Sequence, residues 1–242
     1  MKSSIRILAG VGLLLLLSAC AVGPVAMNSE FWSQTDRGVG VAVAKLPEAM
    51  PHKVGSQGLL DIAINNAMAD ELSTSLKTVD LLSMYGGFRD EVTQRMKEKG
   101  MKPVLVQNPV DTETLKDFST DDKSRTYAAK DFRPLKAGIG NVDRLLLVTV
   151  VAAGTQRPYY GFIPTGRPTA LLRARGELID LNTNEVLWRD NTMNVMEITD
   201  PWDQPPNFAN VHAAVKKLIP VARKSMIDRL FASAPAGTVA GR

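Results

Sequence analysis

The spacing of hydrophobic positions changes several times along the 242 residues, and each change predicts a different element. Residues 7–17 form an unbroken, uncharged apolar run of 11 residues behind Lys2 and Arg6. A membrane-crossing helix needs about 20 such residues, so this run is too short to span. Residues 21–36 keep no period and are expected to form a tether, with Phe31 and Trp32 docking on the domain or at a lipid interface. Val39-Gly40-Val41-Ala42-Val43-Ala44 is apolar at both parities, the pattern of a strand covered on both faces. Pro47, Pro51, His52 and Gly55 then mark a loop.

Leu59, Ile62, Ala63, Ala67, Leu72, Leu76 and Val79 recur mainly at three- and four-residue steps, which predicts an amphipathic helix over about 58–78. Tyr85-Gly86-Gly87 weakens helix. A second helix over 88–99 follows from Phe88, Val92 and Met96, with Gly100 where a C-terminal cap belongs. Residues 102–107 read as a short strand. The right-handed crossover rule makes it parallel to the first strand if the two share a sheet. Within the polar stretch 108–140, residues 112–118 and 127–136 read as short helices on either side of Asp121-Asp122-Lys123. Residues 142–151 are a continuous apolar run and predict a second central strand.

Leu172, Ala174, Gly176 and Leu178 alternate with Arg173, Arg175 and Glu177, so this strand is expected to have one buried and one wet face. Asp180-Leu181-Asn182-Thr183-Asn184 supplies turn residues, and Val186-Leu187-Trp188-Arg189 returns as the antiparallel partner. A last helix is expected over 210–231, followed by a Gly-, Ala- and Pro-containing tail at 233–242 expected to be disordered. The predicted fold is α/β (α+β). It is a mixed β-sheet with a strand-helix-strand start, an antiparallel hairpin in the C-terminal half and helices packed on the sheet.

The positive start and short apolar core are the marks of an export signal. Leu17-Ser18-Ala19-Cys20 closes it and resembles the lipobox of bacterial lipoproteins. The resemblance implies cleavage before Cys20, diacylation of its thiol and acylation of the new amino terminus. An ordinary secretory signal or a signal anchor is the alternative. Cys20 is the single cysteine of the chain, which leaves no thiol for disulfide or catalytic use once it is acylated. Two or three acyl chains hold a protein firmly on a membrane. Ala21 in place of an Asp implies, by the family's sorting behaviour, the outer membrane with the domain facing the periplasm. The chain then divides into a signal at 1–19, lipidated Cys20 with a tether to 36, one domain at 37–232 and the tail.

Removal of the first 19 of 242 residues leaves 223, a length suited to one domain. It also removes Lys2 and Arg6 from the 29 basic residues, so 27 basic face 25 acidic side chains. This near-balance, without charge runs, argues against a nucleic-acid partner. The stretch Gly176-Glu177-Leu178-Ile179-Asp180-Leu181 followed by Glu185-Val186-Leu187-Trp188 resembles the hairpin of the curli-secretion lipoprotein type and the TolB-type amino-terminal domain. That resemblance implies an accessory or assembly factor of an envelope complex, with an envelope protein as partner.

Candidate chemistry is sparse. There is no Gly-x-Ser-x-Gly elbow, and His52 and His212, the two histidines, stand far from metal-ligand spacing. No phosphate-loop glycine pattern occurs. A non-enzymatic protein without metal or cofactor is therefore expected. The best recognition candidates are Arg157, Tyr159, Tyr160, Phe162 and Arg167 in an aromatic- and proline-rich loop at 154–168. Tyr and Arg are enriched in interface hot spots, and proline lowers the ordering cost of such a loop. The alternative is a loop folded back so that its aromatics close one end of the core. A second candidate is a glycan- or peptidoglycan-binding site in which Asp200 and Asp203 flank Trp202.

Overall fold

The computed structural model describes residues 23–55, 70–140 and 142–232. The signal, Cys20, the first part of the helix expected at 58–78 and the tail at 233–242 lie outside the described residues. The elements are β1 (Val39–Val43), β2 (Met50–Val54), α1 (Asp70–Leu76), α2 (Ser83–Glu98) and β3 (Pro103–Leu105). They continue with α3 (Leu135–Gly138), β4 (Arg144–Tyr160), β5 (Ile163–Pro164), β6 (Thr169–Asp180), β7 (Val186–Glu197) and α4 (Ala209–Phe231). All seven strands join one mixed sheet of order β3-β1-β4-β6-β7, with β2 and β5 also on β4. The fold is α+β.

β4 carries the sheet. Its apolar start pairs in parallel with β1 from Arg144 to Val148, and its later half pairs in parallel with β2 from Gly154 to Pro158. Its other edge is antiparallel to β6 along nearly its whole length, with a bulge at Val151 that turns this side chain to solvent. β1 also pairs in parallel with β3, as the crossover rule requires.

One face of the sheet packs Val41, Leu146, Val148, Leu172 and Leu178 against the Phe88-Val92-Met96 stripe of α2 and against Val211, Val215, Leu218, Met226 and Leu230 of α4. Gly176 lets α4 approach here, since a Cβ on it would sit 2.7 Å from Met226 Sδ and from the Trp188 ring. The other face packs Leu145, Leu147, Ile179 and Leu181 against Val110, Ala128 and Phe132 from the polar 108–140 stretch. That stretch is mainly irregular: a 3-10 turn at Thr112–Thr114, a bridge of Asp117 to Lys130, and the single turn α3 replace the two expected helices. Asn184 holds it in place. Its side chain donates to Ala128 O (3.1 Å) and Lys130 O (2.9 Å) and accepts from the Phe132 N–H (2.9 Å), so a fully buried amide is satisfied.

Several expectations change. The tether expected up to residue 36 is largely part of the domain. Val25 bridges Arg189 of β7, Phe31 and Trp32 are buried, and the Trp32 ring packs on Phe231 at 5.1 Å. The loop expected around Pro51 and His52 is β2. Pro51 is tolerated there because β2 pairs with β4 alone, so one edge needs no N–H donors. Helix α2 runs through Gly86 and Gly87, since burial of its apolar stripe outweighs the glycines' low helix propensity. Glu177 is not wet. It is buried with Arg189, whose Nε donates to its Oε1 at 2.7 Å across the β6–β7 pair.

Gly154 has φ +120°, and a Cβ on it would run into the Met50 backbone of β2. We expect Gly154→Ala to destabilise the fold by about 2 kcal/mol or more, because a left-handed conformation and a backbone clash combine. Equilibrium denaturation measures it. A change below about 0.5 kcal/mol, the usual range of neutral surface substitutions, would show that β2 does not depend on this contact.

Candidate interface at the end of β4

Past the bulge, β4 leaves the core and projects. Tyr159 pairs with Pro164 and Tyr160 with Ile163, closing a tight β4–β5 hairpin through Gly161 and Phe162. The stretch expected as a loop at 154–168 is therefore an ordered ribbon braced along one edge by β2. At its tip Tyr160 is 75% exposed, Phe162 55% and Ile163 53%, and Val54 at the end of β2 is exposed beside Pro158. These aromatics do not close the core.

The base of the hairpin is fixed by charge and stacking. Arg157 Nε donates to Gly166 O at 2.8 Å, and its guanidinium lies 4.8 Å from the Trp202 ring centroid and 5.9 Å from that of Tyr159. Arg167 forms an ion pair with Asp200. Partners 33 and 45 positions apart in the sequence, Arg167 with Asp200 and Arg157 with Trp202, thus form one structure, with 200–202 as a brace under the hairpin. Trp202 is half-buried against the core under the Arg157 guanidinium, while Asp203 is exposed.

Sequence reasoning missed one pair. Ser75 Oγ of α1 and His212 Nε2 of α4 share a 2.8 Å hydrogen bond beside a cleft of about 620 Å³ lined also by Glu71, Thr74, Thr78 and Asn207. A hydroxyl bonded to an imidazole is two-thirds of a nucleophilic arrangement, and the third part is a group that orients the base. Among the described residues no carboxylate bonds the other ring nitrogen, and Glu71 makes no bond to His212. The pair joins α1 to α4. No sequence signal brings a serine and a histidine 137 positions apart together. No group of three or more potential metal ligands occurs among the described residues, and none of their helices is long and apolar enough to cross a membrane.

No family model and no curated protein matches the chain. Among solved structures it is similar to a Xanthomonas campestris protein of the DUF330 family, at 9% identity and TM-score 0.37, covering 81% of this chain and 84% of that one. A lipoprotein of Neisseria meningitidis matches at 13% identity and TM-score 0.27, covering 76% of this chain and 99% of that one. A PelC dodecamer from Paraburkholderia phytofirmans matches at 10% identity and TM-score 0.34, covering 86% and 92%. Likeness at this level carries no argument about what the chain does.

Burial lowers the His52 pKa, opposed by its Nε2–H bond to Ala153 O at 3.2 Å and aided by Arg173. Burial lowers that of His212 too, with Lys216 adding to it and Ser75 opposing it. A folded-state value below the unfolded one means that the unfolded chain binds protons first. Stability is then complete above the ordinary histidine value of about 6.5 and declines as pH falls through it, while carboxylates, ordinarily near 4, do not yet titrate. We expect the denaturation midpoint to fall between pH 7.5 and 5, and the fall to shrink in a His52→Gln, His212→Gln double variant. An equal fall in that variant would place the effect elsewhere.

Proposed function

We propose that this chain is a lipid-anchored, non-enzymatic protein of the bacterial cell envelope that binds another envelope protein through the tip of the β4–β5 hairpin. The carrying observation is the tip itself: Tyr160, Phe162 and Ile163 stand in solvent on a ribbon already ordered by β2, by Arg157 on Trp202 and by Arg167 with Asp200. Large aromatic area on a rigid support is the composition of an interface hot spot, because little ordering entropy remains to be lost on binding. The β6–β7 hairpin, with its resemblance to envelope lipoproteins that serve as accessory factors, supports the same reading. The hairpin is preferred over a glycan site because the Trp202 ring is stacked under Arg157 and Asp200 is engaged by Arg167.

Acylation of Cys20 and placement at the outer membrane complete the proposal. From Cys20 to the bridge at Val25 the chain reaches at most about 17 Å, so the anchored domain stays close to the lipid. Val25 lines the same cleft as Arg144 at the start of β4, and the tip is at the strand's other end, roughly 50 Å along it at the usual rise per residue. The short linker therefore does not hold the tip at the bilayer that carries the anchor.

The test is site-specific photocrosslinking in intact cells, with the photoreactive residue at Phe162 or, as a control, at exposed Lys45. We expect a discrete protein adduct from position 162 alone, abolished by Tyr160→Ser and Ile163→Ser with folding unchanged. Adducts to lipid or glycan only, or equal adducts from both positions, would overturn the reading. Labelled palmitate should enter the wild type and not a Cys20→Ser variant; incorporation in both would remove the anchor from the proposal.

A further inference from the structure

Arg144 is 4% exposed, and no carboxylate of the described residues lies within ion-pair distance of it. Its Nη2 bonds to Gln34 Oε1 and its guanidinium lies 5.3 Å from the Phe31 ring centroid. Its Nε and Nη1 are buried without a hydrogen-bond partner among the described residues. Arginine is rarely buried unless paired, and each orphaned donor carries a desolvation penalty. Burial, with Arg37 adding to it, lowers its pKa below the ordinary value, and the charges of Asp180, Asp143 and Asp36, none of them in ion-pair contact, oppose this. The same side chain lines a cleft of about 320 Å³ whose walls include Val25, Met27, Phe31, Leu178 and Leu187. That volume is at the small end of ligand sites, which run about 300–1,000 Å³.

We propose that this cleft binds a monocarboxylate with a compact apolar tail, its carboxylate displacing the Gln34 amide oxygen from the Arg144 guanidinium and its tail resting on the apolar walls. With Gln34 displaced from Nη2, a carboxylate can take the parallel Nε and Nη2 donors of the planar guanidinium fork, satisfying one orphaned donor together with the vacated one. Gln34, itself half-exposed, is the movable cover. Two acids also line the cleft: Glu30 is exposed, and Glu185 is engaged by Arg125 at 2.7 Å. They disfavour a second negative charge on the occupant, which excludes dicarboxylates and phosphomonoesters. The carboxylate can come from a peptide C-terminus or from a short fatty acid, and the chemistry at Arg144 is the same.

Calorimetric titration of the full chain in lipid nanodiscs, against empty nanodiscs, tests this with N-acetyl-leucine, 4-methylpentanoate and N-acetyl-leucinamide. We expect the two acids to bind with a dissociation constant near or below ~1 mM, as suits ligands of this size. The amide, which lacks the charge, should bind at least about tenfold more weakly. Tighter binding of N-acetyl-leucine identifies a peptide terminus as the source, and tighter binding of 4-methylpentanoate a fatty acid. Arg144→Gln should abolish acid binding. Because that change touches a buried site, Ala26→Trp provides a second test: Ala26 is an exposed lining residue, and an indole there fills the cleft with Arg144 intact. Absence of binding by both acids, equal binding of acid and amide, or unchanged binding in either variant would overturn the proposal.

Discussion

Hydrogen bonding to β4 holds β1, β2, β5 and β6 in one sheet, and β3 and β7 join it through β1 and β6. A strand of 17 residues presents two long edges of N–H and C=O groups, and those buried must find partners. One edge pairs with β6 from Arg144 to Gln156. The other is too long for β1, whose five residues end at Val43, so the chain leaves, turns through residues 44–49 and returns as β2 to take up the same edge further along. The bulge at Val151 falls where the two supports meet. It separates a half of β4 that is core from a half that projects, and the projecting half ends in the hairpin. The exposed tip is a consequence of an edge that had to be completed beyond the core.

Polar groups inside the domain do a second kind of work. Asn184 ties an irregular stretch to the far face of the sheet through three hydrogen bonds, and this allows a polar sequence to cover Leu145 and Leu147 without regular structure. Glu177 and Arg189 form a buried ion pair across β6 and β7. Such pairs are weak contributors to net stability, because desolvation offsets attraction, but breaking one leaves an uncompensated charge. Their value here is register: a slip of one residue in β6–β7 would put one of the two charges into the helix-covered face. Arg144 has the burial of these groups without their satisfaction, and that difference separates a structural polar residue from an unfilled site.

What could be read in the sequence follows from which forces act locally. β1, the start of β4 and α4 are runs whose apolar pattern alone fixes their burial, and they occur close to where the pattern places them. β2 was not legible: Pro51, His52 and Gly55 are loop residues by propensity, and the strand exists because β4 offers an unfilled edge about 100 residues later. Residues 25–34 lack a period because Phe31 and Trp32 dock as individual anchors, not as a face. For the hairpin, composition pointed to Arg157, Tyr160 and Phe162, but not to the brace, since nothing in the chain links Arg157 to Trp202. Arg144 sits at the head of an apolar run, where an arginine ordinarily marks a strand end in water. Its significance is a missing partner, a property of three dimensions only.

The two ends of β4 place unlike chemistry far apart, and the N-terminal segment makes that separation consequential. Residues 25–34 form one side of the Arg144 cleft and also carry the chain toward Cys20. Docking of this segment uses the Val25 bridge, Met27, the Phe31 and Trp32 rings, and Gln34 on Arg144. An occupant held between Arg144 and this segment would favour the docked arrangement over the released one. By linkage, docking favours the occupant by the same free energy. Release would lengthen the linker from five residues to roughly fifteen and its reach in proportion, to about 50 Å. The whole domain, with the hairpin at the other end of the strand, could then move that much further from the lipid surface, so occupancy of a small cleft would set how far the recognition tip can travel.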